Sequence, residues 1–252
     1  MDRLKYIYKS LKINYKSWIL ILITLFIINN NNNKKNDNKN YNIIYILITF
    51  LLMLISLQLF HHLSHYDIYY PFTAAHLYHH NNNNFFSHFI QIVIEFIFIL
   101  SPITLKYLSS YLLSINTKLF DTYTIIFIYL FYTSVHNINY SIFHVNDVHE
   151  YHHYNPLKNA GPDIMDILFN TKHDPENKIE NTDHYIPNIF ISLFIVLILK
   201  YIYNCINNEN LVLNSFMFIM MFLIIILVTS SIVIFINDIN NFYKKKLDNF
   251  II

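Results

Sequence analysis

Residues 41–65 read YNIIYILITFLLMLISLQLFHHLSH and join a long apolar segment to a group of histidines. The apolar part, residues 41–60, contains few polar side chains and no charged one. About 20 apolar residues are what an α-helix needs to cross the hydrocarbon core of a bilayer. The stretch therefore predicts a membrane-spanning helix whose end carries the first histidines, His61 and His65, to the edge of the membrane.

The histidine pattern of residues 61–65 is followed by two similar patterns further along the chain. Residues 76–80 read HLYHH and residues 149–153 read HEYHH, so both have the spacing HxxHH. Residues three or four positions apart share one face of a helix, so each box aims two or three imidazoles at one point. Neutral imidazole is the commonest metal ligand among protein side chains. The three boxes therefore predict a nitrogen-rich site for two metal ions.

Low sequence complexity offers a competing explanation for these histidines. The chain contains 14 histidines, and residues 79–84 read HHNNNN, which is typical of a compositionally biased tract. Random placement of 14 histidines would nevertheless produce HxxHH only about 0.04 times in this chain. Because the spacing occurs twice, and at the ends of apolar stretches, it favours metal ligation over chance.

The overall composition indicates a membrane protein. Hydrophobic residues make up 54% of the chain and charged residues only 13%, whereas soluble domains have about 25% charged residues. The net charge of +1 gives no sign of binding to nucleic acid. Cys205 is the only cysteine, which excludes an internal disulfide framework, and the boxes hold no cysteine for a zinc ribbon or an iron–sulfur cluster.

Further apolar stretches extend the prediction to the whole chain. They are residues 18–28 (extendable back to about residue 12), 89–105, 119–135, 186–203 and 211–236. We expect an all-α, polytopic membrane protein with about four to six transmembrane helices and a histidine-rich metal-binding cap. Three regions follow: a basic N-terminal segment with the first membrane helix and an Asn-rich loop (1–40), the histidine-box domain (41–185), and a C-terminal membrane hairpin with a basic tail (186–252).

The distribution of basic residues predicts the orientation. If the chain has six spans, eleven of its 17 Lys and Arg residues lie on the side that also holds the boxes. The excess of positive charge places that side in the cytosol. The irregular polar stretch 154–187 lies on the same side, so we expect it to form a cap over the metal site.

Several acidic residues and one glycine lie close to the boxes. Glu95 lies in an apolar stretch, where a carboxylate is costly, so it is either a hydrogen-bond partner of a ligand imidazole or solvated near the interface. Asp147 and Glu150 are possible partners of the same kind. Gly161 is the only glycine in the chain; either its position tolerates no side chain, or it is an accident of composition.

A segment after the third box carries a family resemblance. Residues 159–171 read NAGPDIMDILFNT. Together with the order and gaps of the boxes, this segment resembles the fatty acid hydroxylase superfamily, which includes sterol desaturases, sterol methyl oxidases and sterol hydroxylases. The family pattern is Asn-Tyr-Gly, then Trp-Asp, then Phe-Gly-Thr; here Ala160, Met165 and Asn170 replace the Tyr, the Trp and the second Gly. The resemblance covers about residues 50–172.

The resemblance implies a chemistry that the spacing alone does not decide, since nitrogen-rich sites suit iron, zinc or copper. It implies two iron ions, with zinc possible, and dioxygen as co-substrate for hydroxylation of a fatty acyl or sterol C–H bond. It also implies an electron donor such as a b-type cytochrome or its reductase, and a location in the endoplasmic reticulum membrane. A desaturase of the same family, and a non-catalytic membrane protein with a structural metal site, remain alternatives.

The family often has one more histidine before its third box. His136 is the first choice for that role and His144 the second; an interfacial histidine bonded to a backbone carbonyl is the alternative for either. The predicted metal ligands are then His61, His65, His76, His79, His80, His136, His149, His152 and His153.

Overall fold

The computed structural model describes residues 2–30, 39–66, 72–82, 84–113 and 120–206, together with Ile236 and Ile239. Every regular element in these ranges is helical, which confirms the all-α prediction. The α-helices are α1 (Asp2–Ile13), α2 (Tyr15–Asn30), α3 (Lys39–Leu63), α4 (Phe72–Asn81), α5 (Phe85–Leu113), α6 (Thr122–Ser134), α7 (Asp147–Tyr154), α8 (Asp163–Phe169) and α9 (Ile186–Ile206).

Three of these helices have stretches long and apolar enough to cross a membrane: Ile43–Leu63, Phe86–Leu105 and Asp183–Tyr203. They coincide with the predicted spans at 41–60, 89–105 and 186–203. A fourth is obtained if α1 and α2, which are bent by 75° relative to each other, count as one broken span. The predicted span at 211–236 lies, apart from Ile236, outside the described residues, so a total of four to six spans stays a prediction.

Helix α6 corresponds to the predicted span at 119–135. Its 13 residues extend about 20 Å at 1.5 Å per residue, less than the roughly 30 Å of a bilayer core, so α6 by itself is not among the candidate spans, and its crossing of a membrane stays a prediction. The helix is apolar on all sides and is surrounded by α3, α5 and α9, so residues 124–130 are all buried. It is therefore the central helix of the bundle, and it continues directly into a π-helical turn, Val135–Tyr140.

The polar stretch after the third box is mostly irregular, as predicted, but it contains the short helix α8. We call residues 155–182 the cap segment. Asp163, at the start of α8, is buried, forms an ion pair with Lys172 and accepts a hydrogen bond from the Glu180 backbone N–H at 2.7 Å. Helix α8 ends at Phe169 and is followed by its C-cap Asn170, which has a left-handed φ of 62°. Asparagine tolerates this conformation better than most residues.

Candidate metal centre

Five histidines from all three boxes converge at one point. They come from the end of α3, from α4 and from α7, and one ring nitrogen from each lies within 4.8 Å of those of the others: His61, His65, His76, His80 and His152. In the part of the chain that the structure describes, this is the one group of three or more potential ligands that meets so closely. The cluster could hold a metal ion. We call these five residues the five-histidine cluster.

The Nε2 atoms are the nitrogens that meet. His152 Nε2 lies 2.7 Å from His61 Nε2 and 3.2 Å from His65 Nε2. His76 Nε2 lies 3.3 Å from His65 Nε2 and 3.1 Å from His80 Nε2. Nitrogens bound about 2.1 Å from one ion are separated from their neighbours by about 2.9 to 3.4 Å. The spacing of the five nitrogens therefore fits ligation of a single ion.

The opposite nitrogens of three cluster rings are held by hydrogen bonds. His152 Nδ1 lies 2.8 Å from the backbone carbonyl of Lys158, and His76 Nδ1 lies 3.1 Å from Gln91 Oε1. Both oxygens accept only, so each Nδ1 carries the proton and donates it, and each Nε2 keeps a free lone pair toward the cluster. His61 Nδ1 lies 3.1 Å from the hydroxyl of Tyr132. The contacts of His76 and His152 fix the tautomer that a metal ligand needs, and all three contacts hold the rings in place.

Burial keeps the cluster imidazoles neutral. Burial, helped by neighbouring histidines, lowers the pKa of His76 to about 3 and that of His65 to about 4. The same causes lower the pKa values of His80 and His152 below the usual range. A histidine must be unprotonated to bind a metal, so these residues are ready to do so at neutral pH without first losing a proton.

The four other predicted ligands form a second group beside the cluster. We call His79, His136, His149 and His153 the four-histidine group. The ring centroids of His136 and His149 are 4.9 Å apart, those of His149 and His153 5.2 Å, and those of His79 and His136 5.3 Å. Both ring nitrogens of His79, and Nε2 of His136 and of His149, are buried without a hydrogen-bond partner. Because such nitrogens are costly when unpaired, their number here fits a second metal site.

Glu95 connects the two sets of histidines. Its carboxylate accepts a hydrogen bond from His136 Nδ1, and it accepts another from Gln91 Nε2 at 3.0 Å. Gln91 in turn accepts the hydrogen bond from His76 of the five-histidine cluster. Glu95 is only 5% exposed, so the prediction that it partners an imidazole is confirmed and the alternative of a solvated interfacial carboxylate is wrong.

Three other residues near the boxes lie away from the centre. His144 is exposed, with a left-handed φ of 48°, so His136 is the histidine that lies beside the boxes. Asp147 and Glu150 were predicted as partners of ligand imidazoles, and this prediction is wrong. Both lie on the outer face of α7, opposite His149 and His152, and Asp147 pairs with Lys178 at 3.8 Å in solvent.

The carboxylate that supports the third box is Asp166, which the sequence analysis did not single out. It accepts hydrogen bonds from the backbone N–H groups of Ala160 (3.1 Å) and Gly161 (3.2 Å), and from Gln58 Nε2 (2.9 Å). The turn that it holds also presents the Lys158 carbonyl to His152. Asp166 therefore joins the cap segment to α3. Its contact on α3 is Gln58, which lies one helical turn before His61.

The lone glycine lies at this junction. A Cβ atom at Gly161 would lie 1.9 Å from Gln58 Oε1, far inside van der Waals contact. Gln58 has little freedom to move away, since its Nε2 is bonded to Asp166 and, at 3.1 Å, to Thr171. This close approach supports the prediction that the position disfavours a side chain.

Comparison with known proteins gave no match: no family model, no curated protein and no solved structure is significantly similar to the chain.

Proposed function

We propose that this protein is a membrane-bound di-iron oxygenase that hydroxylates a C–H bond of a lipid, of the kind found in the fatty acid hydroxylase superfamily. The observation that carries the proposal is the pairing of the five-histidine cluster with the four-histidine group. All nine predicted ligands lie in these two sets, and Glu95 connects them through Gln91 and His136.

The donor set favours iron over zinc. Structural zinc sites are almost always four-coordinate, whereas five imidazole nitrogens converge in the cluster. Imidazole suits iron, and two nitrogen-rich sites side by side fit a pair of ions. When bound, such a pair supplies the reduction of dioxygen that oxidation of an unactivated C–H bond requires. The histidines bind the ions, and Glu95, Gln91 and the Lys158 carbonyl orient the rings.

The position of the centre fits a lipid substrate. His61 lies in the last turn of the candidate span Ile43–Leu63, so the cluster is at the end of a helix of membrane-spanning length. A cavity of about 50 Å³ lies beside His136 and His149 and is also lined by Phe131 and Val135. It has room for a few water-sized molecules, or for dioxygen, but not for a lipid chain. We infer that the substrate reaches the centre from the surrounding bilayer.

Membrane placement and electron supply belong to the same proposal. We infer that the protein is integral to the endoplasmic reticulum membrane, with the histidine boxes facing the cytosol. Electrons for dioxygen reduction then come from a cytosolic-side donor such as a b-type cytochrome or its reductase. No side chain is assigned as an acid or base toward the substrate.

The test is product analysis with iron-loaded protein in lipid vesicles, supplied with a chemical reductant and isotopically labelled dioxygen. Hydroxylation predicts a lipid that gains one labelled oxygen atom; a desaturase yields a lipid that loses two hydrogen atoms and gains no label. The His152→Ala variant should give no product, whereas His144→Ala, an exposed histidine of the same region, should retain activity. A folded protein with both sites filled but no lipid product would support a structural metal site and contradict the oxygenase.

A further inference from the structure

Helix α1 has an exposed apolar stripe that the proposed metal chemistry does not use. Leu4, Tyr8 and Leu11 follow one another at four and three residues, which places them on one face of the helix. Their side chains are 73%, 69% and 41% exposed. Lys5 and Lys12 are also exposed, and helical spacing places them together along one edge of the stripe.

The opposite side of α1 is fastened to the cap segment. Ser10 is buried on this side, and so is Asn14, the residue between α1 and α2. The Asn14 side chain donates to the Glu180 carbonyl at 2.9 Å and accepts from the Thr182 backbone N–H at 2.9 Å. Lys9 also donates to the backbone carbonyl of Glu176. Tyr8 and Leu11 therefore face away from the cap segment, and Leu4, which lies at the edge of an open cavity shared with Ile167 and Pro175 of the cap, is still 73% exposed.

The bend between α1 and α2 determines what can cover the stripe. Helix α2 is apolar and exposes Ile19, Leu22 and Phe26, as expected for side chains in contact with lipid. The 75° bend turns α1 nearly at right angles to α2. If α2 enters a bilayer, α1 lies along its surface, and an apolar stripe edged by lysines matches the boundary between acyl chains and anionic headgroups.

We propose that α1 lies flat in the headgroup region of an anionic membrane leaflet, with Leu4, Tyr8 and Leu11 inserted among the acyl chains and Lys5 and Lys12 on the headgroups. Because Asn14 and Lys9 hold α1 to the cap segment, the same contact fixes the cap at the lipid surface. This surface is separate from the metal centre, and its test needs no metal and no enzymatic activity.

The experiment compares two apolar positions of α1 with nearly equal exposure. Leu11 is 41% exposed on the stripe, and Ile13 is 38% exposed on the other side of the helix. In a Cys205→Ser background, which has no other cysteine, Leu11→Cys and Ile13→Cys are labelled with an environment-sensitive fluorophore. The full chain is placed in nanodiscs of neutral lipid, or of neutral and anionic lipid mixed. Quenchers are carried either near the lipid headgroup or at the end of the acyl chain.

We expect the headgroup-level quencher to reduce the Leu11→Cys signal at least about twofold more than the Ile13→Cys signal. This difference in quenching should be larger in nanodiscs with anionic lipid than in neutral ones. When Lys5→Gln and Lys12→Gln are added to both labelled proteins, the difference should be the same in the two kinds of nanodisc. Equal quenching of both labels by the acyl-chain quencher would mean that α1 is part of a broken span. No quenching at either position would mean that water or protein covers the stripe. Either result overturns the proposal. Tyr8→Cys replaces Leu11→Cys if that variant does not fold.

Discussion

The two sets of histidines differ in how far the protein alone organises them. In the five-histidine cluster the Nε2 atoms already lie 2.7 to 3.3 Å from their neighbours, and His61, His76 and His152 are oriented from behind by hydrogen bonds. In the four-histidine group the ring nitrogens do not converge in this way, and both nitrogens of His79 and Nε2 of His136 and His149 have no hydrogen-bond partner. In the cluster the unpartnered nitrogens are Nδ1 of His65 and of His80. The cluster is thus preorganised, whereas the group depends on a bound ion to draw it together. We expect the cluster to bind its ion more tightly.

The largest effects are expected from removing one ligand from each set. His152→Ala removes the nitrogen closest to His61 and His65, so the cluster should lose its ion and activity should fall below detection. His136→Ala should also abolish activity, but only the ion of the four-histidine group should be lost. Metal content per chain after anaerobic iron loading and desalting measures both. If His136→Ala keeps two ions, the four-histidine group is not a site.

Glu95→Gln should weaken metal binding without abolishing it. The amide cannot accept hydrogen bonds with both of its terminal atoms, so the contacts with His136, Gln91 and Asn137 cannot all persist. Loss of the hydrogen-bond partner of a metal-ligating histidine typically lowers metal affinity by about 10- to 100-fold. Chelator competition gives the affinity, and Glu150→Gln, on the exposed face of α7, serves as the control. Unchanged affinity would show that Glu95 does not orient ligands.

Gly161→Ala should act on stability rather than on the ligands. The new methyl group would occupy the space of Gln58 Oε1, and overpacking of this kind costs about 1 to 3 kcal/mol. Gln58→Ala removes the clash, so the double variant should lose less stability than the sum of the two single variants. Thermal unfolding of all three variants measures this. Strict additivity would contradict the contact.

Acid should destabilise the metal-free protein at pH values where ordinary histidines begin to protonate. In the unfolded chain histidines take up protons below about pH 6.5, whereas burial lowers the folded-state pKa of His76 to about 3 and those of His65 and His153 to about 4. The free energy of unfolding should therefore fall as the pH drops from 6.5 toward 4.

Glu180 and Asp166 act in the opposite direction, because burial raises their pKa values to about 7 and about 6, and their uptake of protons in the folded state adds stability as the pH falls. The buried histidines outnumber them, so the net effect should be destabilising. Unfolding midpoints measured at pH 7 and at pH 5 test the sign. A higher midpoint at pH 5 would contradict it.

The sequence predicted which histidines lie together but not what supports them. Spacing within a helix is local, so HxxHH at 76–80 and 149–153 identified His76, His80 and His152, which meet in the five-histidine cluster, whereas His79, His149 and His153 lie beside it. The supporting contacts are long-range: Gln91 to His76, Asp166 to Gln58, and Tyr132 to His61 each join residues far apart in the chain. The failure at Asp147 and Glu150 has the same origin, since neighbours in sequence on a helix point to different sides.

The surroundings of the predicted span at 119–135 were also beyond the sequence. Hydropathy identified these residues as apolar but could not show that α6 lies at the centre of the bundle, since its neighbours α3, α5 and α9 come from distant parts of the chain. The bend at Asn14 was also not predicted, because it depends on hydrogen bonds to residues 180 and 182, far along the chain.

The most direct test of the two-metal centre is elemental analysis of the detergent-purified protein from iron-supplemented cells, with the His152→Ala variant beside it. The account predicts two irons per chain in the unaltered protein and loss of the cluster's iron in the variant. Absence of any metal from correctly folded protein, or a metal content that His152→Ala leaves unchanged, would contradict it.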